Sequence, residues 1–330
     1  MKNILLITTG GTIASCEGEN GMTPTIDSQG ILNSVPEIKD ICNVSTFQLY
    51  NLDSTNMRYE HWLGIAQTVK DNYDNYDGFV ITHGTDTMAY TAAALSYLIQ
   101  NNRKPIVLTG SQKSIFEKDS DARNNLIDAF VYANDDDSRL THIVFDGAVI
   151  AATRARKVRT KSFNAFQSID YPNVAILRDH RLIHYITETV EEEYPTFYNE
   201  LEPNIFVLKL LPGLDASIFS YLKEHYEALI IESFGVGGVP CYGDESFISA
   251  IADWTQSGKV LVMTTQVTHE GSDMQRYEVG YVVKNNYDIL EAYDMTLESV
   301  IAKLMWILPQ TKDASKIREM FYTPIMKDIL

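Results

Sequence analysis

Over the first 180 residues, short apolar runs alternate with stretches of helical spacing. The run Ile4-Leu5-Leu6-Ile7 into Thr8 predicts a strand over 4–8. Trp62, Ile65, Ala66 and Val69 fall at helical intervals and predict a helix over 59–69. The same two patterns predict strands over 78–82, 105–109 and 141–145, and helices over 86–99 and 122–131. Strand–helix alternation implies crossover units and a mostly parallel sheet, in which buried strands read as continuous apolar runs.

The pattern then breaks. Glu188, Glu191, Glu192, Glu193, Pro195 and Pro203 mark an acidic, polar stretch that reads as a solvated linker. Beyond it, strands are expected over 205–209, 228–232 and 259–263, and helices over 216–223, 245–254 and 297–307. The expected organisation is two α/β domains. A larger N-terminal domain with a mostly parallel sheet spans 1–187, a linker 188–203, and a smaller parallel-sheet domain 204–330. The 330-residue length suits two domains at roughly 150 residues each.

Composition narrows the function classes. The formal charge is −17, from 27 Lys and Arg against 44 Asp and Glu. Such a surface repels nucleic acid and anionic membranes, so neither is an expected partner. Cys16, Cys42 and Cys241 form no CxxC pair, which argues against a disulfide framework or a cysteine-rich zinc site. Four apolar residues near the start are too few for a signal-peptide core. No stretch approaches a membrane span, and a soluble, cytoplasmic protein is expected.

Ligands of open parallel sheets bind beyond the carboxyl ends of the strands. The segments there are Thr8-Thr9-Gly10-Gly11-Thr12, Thr82-His83-Gly84-Thr85-Asp86-Thr87 and Thr109-Gly110-Ser111-Gln112. Each combines glycine, which allows close backbone approach, with hydroxyls that donate, accept and can act as nucleophiles. The alternative is plain helix capping, for which Thr85-Asp86 ahead of a helix is well suited and which also accommodates Thr12. Two Gly-Thr turns of such similar make-up are more than capping requires.

The first two segments, extended through Ile13-Ala14 and Met88, resemble the signature motifs of the bacterial-type L-asparaginase family. The resemblance continues in Leu52-Asp53-Ser54-Thr55-Asn56-Met57, Val107–Gln112, Arg159-Thr160-Lys161 with Phe163-Asn164-Ala165-Phe166, and Ser233-Phe234-Gly235-Val236-Gly237. It covers nearly the whole chain and points to the cytoplasmic type I branch. It implies hydrolysis of L-asparagine to L-aspartate and ammonia without metal or cofactor, in a homo-oligomer that is a dimer or a dimer of dimers. It assigns nucleophilic attack to Thr12, with Thr85, Asp86 and Lys161 as a connected group that moves the proton. Asp86 then also faces the substrate ammonium. Gly11, Asp53, Ser54, Thr55, Gly84 and Ser111 are the expected substrate-binding positions, with the Gly11 amide donating to the oxyanion. No arginine lies in these motifs, which favours carboxylate recognition by hydroxyls and amides over a guanidinium fork.

Two departures stand out. Many relatives carry a tyrosine in the loop after the first motif; here Met22 stands there and no tyrosine lies between Thr12 and Tyr50. Some type I members bind a second asparagine through an arginine and a cysteine, whose matching positions here are Glu232 and Val267. Other features carry less. His180 and His184 sit in a strand-like stretch unsuited to a shared metal, and His83 reads as a structural hydrogen-bonder. There is no dinucleotide fingerprint, P-loop or nucleophile elbow. The competing readings are the asparaginase-like subunit of a tRNA-dependent amidotransferase and an amino-acid sensor with weak turnover. The former carries an extra N-terminal domain, for which a first motif at Thr8 leaves no room.

Overall fold

A computed structural model describes residues 1–18, 21–190, 194–240 and 246–330; the side chains of 16–24 lie outside that description. The side chains of Cys16 and Met22, and residues Glu191, Glu192, Glu193 and Cys241, lie outside it. The described chain divides into two compact units, Met1–Asn199 and Glu200–Leu330.

The first unit is built on strands β1 (Asn3–Gly10), β2 (Asn43–Leu52), β3 (Gly78–Thr82), β4 (Ile106–Thr109) and β5 (Thr141–Phe145). They lie parallel in the spatial order β2-β1-β3-β4-β5. Strand β6 (Ala148–Ala151) turns back antiparallel on β5. A hairpin follows, β7 (Ala155–Lys157) with β8 (Phe166–Ser168), outside the main sheet. Strands β9 (Ala175–Arg178) and β10 (Arg181–His184) complete eight strands by antiparallel pairing beyond β6. The helices include α1 (Tyr59–Asn72), α2 (Met88–Leu98) and α3 (Ala122–Asn134). Ile4, Leu6, Val80, Val107 and Val144 form one buried face, packed with Ile13, Ile31, Leu126 and Phe130. Strands covered on both faces are buried end to end, as β3, β4 and β5 are.

The second unit is a four-stranded, all-parallel sheet. Its strands β11 (Ile205–Lys209), β12 (Ala228–Ser233), β13 (Val260–Thr265) and β14 (Leu290–Glu291) lie in sequential order. Helices α4 (Ile218–His225), α5 (Ser246–Gln256), α6 (Glu278–Asn286), α7 (Leu297–Ile307) and α8 (Ala314–Tyr322) complete it. The fold is thus α/β in two domains, with a larger mostly parallel sheet followed by a smaller parallel one.

Several elements differ from the expectation. Strand β2 was absent from it, because an edge strand rich in Asn, Ser, Thr and Gln has no continuous apolar run. Strands β6 and β9, each of four residues, are too short to carry a period, whereas β10 falls in the strand-like stretch around His184. Within the expected linker, Thr196–Phe197 pairs antiparallel with Ile99–Gln100, so that part is ordered against the first unit. Among the described residues no helix is long and apolar enough to cross a membrane. Cys42 is a buried free thiol whose pKa burial pushes up to about 12.

In the second unit, Lys303 on α7 and Asp328 near the chain end form a fully buried ion pair at 2.6 Å. Lys303 also donates to the Thr323 carbonyl at 2.9 Å, and the Ile325 amide donates to Asp328 at 2.9 Å. Removing one partner of such a pair strands a charge in an apolar interior. Asp328→Ala is expected to lower the stability of the second unit by about 3–5 kcal/mol. The double change Lys303→Met with Asp328→Leu should recover much of that loss, both read from urea denaturation midpoints.

Candidate active site

The strand order places four turns side by side at one edge of the first sheet. They follow β1 (10–12), β2 (53–56), β3 (83–87) and β4 (110–112). Their backbones approach more closely than side chains would permit. A Cβ on Gly11 would lie 2.4 Å from the Gly84 nitrogen, and Gly11 has φ of +83°, a left-handed conformation that favours glycine. A Cβ on Gly84 would meet Ser54 Oγ at 2.5 Å, and one on Gly110 would meet the His83 carbonyl at 2.2 Å. The turns are therefore in direct contact in the sequence Ser54–Gly84–Gly11, with Gly110 against His83. Thr12 and Thr85 each follow one of the two touching glycines.

Capping does not account for these residues. Helix α2 starts at Met88 with Thr87 at its N-cap, and no side chain caps it. The Thr87 hydroxyl donates instead to the Ser54 carbonyl at 2.8 Å, tying two turns together. Thr12 opens a single 3-10 turn, Thr12–Ala14, preceded by Gly11.

A lysine joins Thr85 and Asp86, and it is Lys157, not Lys161. The Lys157 ammonium donates to Thr85 Oγ1 at 2.7 Å and to Asp86 Oδ1 at 2.6 Å. The Lys157 side chain is 16% exposed and that of Asp86 58%. The expected Lys161 is exposed in the loop between β7 and β8. The reason is geometric: the strand ends at Lys157, and Val158 and Arg159 already bond across to Ala165. Lys161 is thereby carried four residues beyond the strand end. The run Arg154, Arg156, Lys157, Arg159, Lys161 hides the choice in sequence. The usable signal was position: Lys157 ends a strand, and the other site residues lie at or just beyond strand ends.

The remaining expected positions are distributed as follows. Asp53 accepts from the Thr55 amide at 2.9 Å and the Thr55 hydroxyl at 2.8 Å, so it shapes its own turn. Ser54 is buried against Gly84, while Thr55 is exposed. Ser111 is buried and donates to the Lys113 carbonyl within its own turn. The Gly11 amide donates to the Leu52 carbonyl at 2.9 Å and is not available to an oxyanion, contrary to expectation. Two residues missed as site members support the fourth turn. Thr85 donates to Gln112 Oε1 at 3.2 Å, and the Gln112 amide donates to buried Asp121 at 2.9 Å.

His83 is a structural member of the turn. Its Nδ1 lies 2.7 Å from the Gly84 carbonyl and its Nε2 2.9 Å from Thr91 Oγ1. A carbonyl only accepts, so Nδ1 carries the proton and Nε2 accepts from Thr91. Complete burial pulls the His83 pKa down to about 4, which keeps the ring neutral. His180 and His184 bond separate carboxylates, Asp128 at 2.6 Å and Asp135 at 2.8 Å. Among the described residues no group of three potential metal ligands exists.

The family model "Asparaginase, N-terminal" matches residues 3–190, and "Glutaminase/Asparaginase C-terminal domain" matches 204–321. An L-asparaginase of Thermococcus kodakarensis is 36% identical over 327 residues, covering 99% of this chain and 98% of that protein. The solved structure of the thermostable L-asparaginase from that organism superposes with a TM-score of 0.94 at 35% identity over 99% of both chains. A glutamyl-tRNA(Gln) amidotransferase component of Methanobrevibacter smithii is 31% identical over 97% of this chain but only 75% of its own length.

The neutral His83 links stability to pH. Its folded pKa lies below the ordinary value near 6.5, so the unfolded state binds the extra proton between about 6.5 and 4. Its contribution is fully present above about pH 6.5 and falls by roughly 3 kcal/mol as the pH approaches 4. Urea midpoints measured from pH 7 to 4.5 should decline less steeply in His83→Gln than in the wild type.

Proposed function

Because the chain belongs to the asparaginase family, we propose that it hydrolyses L-asparagine to L-aspartate and ammonia with Thr12 as nucleophile. The observation that carries this reading is the Lys157 ammonium on Thr85 and Asp86, one turn away from Thr12. The Thr12 hydroxyl attacks the side-chain amide carbon and its proton enters the Thr85–Lys157 group. The amide of Thr12 opens a helical turn and has no partner within it, so it is a donor for the oxyanion. Ammonia leaves with a proton returned from the same group. Water then hydrolyses the β-aspartyl ester and regenerates Thr12. Asp86, half exposed beside the lysine, faces the substrate ammonium, while Ser54, Thr55 and nearby amides receive its carboxylate.

The protein acts on the free amino acid in the cytoplasm, as a dimer or dimer of dimers, and takes no cofactor. The net charge of −17 disfavours the amidotransferase reading, which needs tRNA. Ammonia release from asparagine tests the assignment directly. Thr12→Ala and Lys157→Met should each lower kcat by on the order of 10²–10⁴-fold. Lys161→Ala should stay near the wild type; a comparable loss there would return the role to Lys161. Release only with charged tRNA would favour the amidotransferase, and tight asparagine binding without release a sensor.

Glu232 is buried at the end of β12 and Val267 is exposed, and neither side chain can bind an effector carboxylate as an arginine would. The asparagine saturation curve should therefore be hyperbolic, and a sigmoid curve would contradict that expectation.

A further inference from the structure

The geometry points to Gln112 as a positioning residue that biases Lys157 toward its protonated form by fixing the direction of the Thr85 hydroxyl; this rests on the reading of Thr85 and Lys157 given above. Gln112 touches three parts of the site. Its Nε2 lies 3.1 Å from the Ser162 carbonyl, and its Oε1 lies 3.2 Å from Thr85 Oγ1. The orientation of the amide is chemically determined, since the Ser162 carbonyl can only accept and so must face the NH2 group. The backbone is held as well. The Gln112 amide donates to Asp121 Oδ2 at 2.9 Å and the Lys113 amide to Asp121 Oδ1 at 3.1 Å. Asn125 braces the same turn, donating to the Gly110 carbonyl at 2.9 Å and to Asp121 at 3.2 Å.

Direction along the chain of bonds follows from the donors available. A lysine ammonium only donates, so Thr85 Oγ1 accepts from it, and the single hydroxyl proton of Thr85 goes to Gln112 Oε1. The order is Lys157 to Thr85 to Gln112. A neutral Lys157 placed to take a proton through Thr85 must instead accept from its hydroxyl, and that arrangement forfeits the bond to Gln112. Gln112 thus favours the charged lysine, in the same sense as Asp86, the carboxylate facing the ammonium at 2.6 Å. Through Ser162 it also holds the loop that follows Lys157.

The sign of the effect is testable without turnover. Gln112→Leu removes the acceptor and frees the Thr85 proton for a neutral lysine. Gln112→Glu keeps an acceptor and adds a negative charge, at the expense of the Ser162 bond. The titration midpoint of Lys157 can be read by competitive acetylation across pH with peptide mass spectrometry. It should fall by about half to one pH unit in Gln112→Leu and rise by a similar amount in Gln112→Glu. The acid limb of kcat/KM for asparagine should move in the same directions. A merely structural role would lower kcat or thermal stability with both midpoints unmoved, and that result overturns the proposal. If Gln112→Leu does not fold, the sign of the shift in Gln112→Glu decides alone. Shifted Lys157 midpoints in a protein that releases no ammonia would refute the asparaginase reading while leaving the role of Gln112 standing.

Discussion

Contact between main chains at the carboxyl edge of one sheet is the constraint on which the site depends. Parallel strands β2, β1, β3 and β4 end side by side, and each continues into a turn. Neighbouring parallel strands are about 4.8 Å apart, which leaves no room for side chains between turns that must also share a ligand. Gly11 against Gly84, and Gly110 against the His83 carbonyl, close that distance with backbone alone. The hydroxyls that follow these glycines are then neighbours in space though more than 70 residues apart in sequence, as Thr12 and Thr85 are. The turns are also locked from behind. His83 bonds Gly84 and Thr91, Asp121 collects the amides of Gln112 and Lys113, and Asp53 closes its own turn. Polar groups held by such a frame reorganise little when charge develops beside them, which is the source of most electrostatic stabilisation.

Charge enters this frame in a graded way. Thr85 is buried, Lys157 mostly so, and Asp86 opens to solvent. The ammonium is therefore anchored at its inner side by a neutral hydroxyl and at its outer side by a carboxylate that is open to solvent. A lysine sandwiched between two carboxylates would be locked in its charged form, and one facing only apolar groups would be stripped of its proton. The Lys157 ammonium meets one hydroxyl and one half-exposed carboxylate, which is neither of these arrangements.

How much of this was legible in the sequence depended on how local the determinants are. Gly78–Thr82, Thr141–Phe145 and Leu297–Ile307 have the bounds that their apolar patterns predict, because burial decides them, and the half-buried strand Ile205–Lys209 also keeps its expected bounds. Helix α2 begins two residues later than its pattern suggests, since Thr85 and Asp86 are held by Lys157 instead of entering the helix. Strand β2 was invisible because an edge strand pairs through its backbone and needs no apolar run. The turns bearing Thr12, Thr85 and Asp86 were recognisable from glycine and hydroxyl content, whereas Gln112 and Asp121 act through bonds to backbone that no composition reports.

The exchange of Lys161 for Lys157 shows where motif reading and geometry part. A resemblance locates a segment, and within it five cations lie between 154 and 161. Only topology separates them: a hairpin that ends β7 at Lys157 and closes on Ala165 leaves one ammonium within 2.7 Å of Thr85 and carries Lys161 into solvent. The residue types were sufficient to state the chemistry, a hydroxyl needing a basic partner. Which lysine supplies it depends on the residue at which a strand stops, and a shift of four residues along an extended chain is about 13 Å. At that scale, the chemical argument constrains the side chain and the fold alone constrains its number.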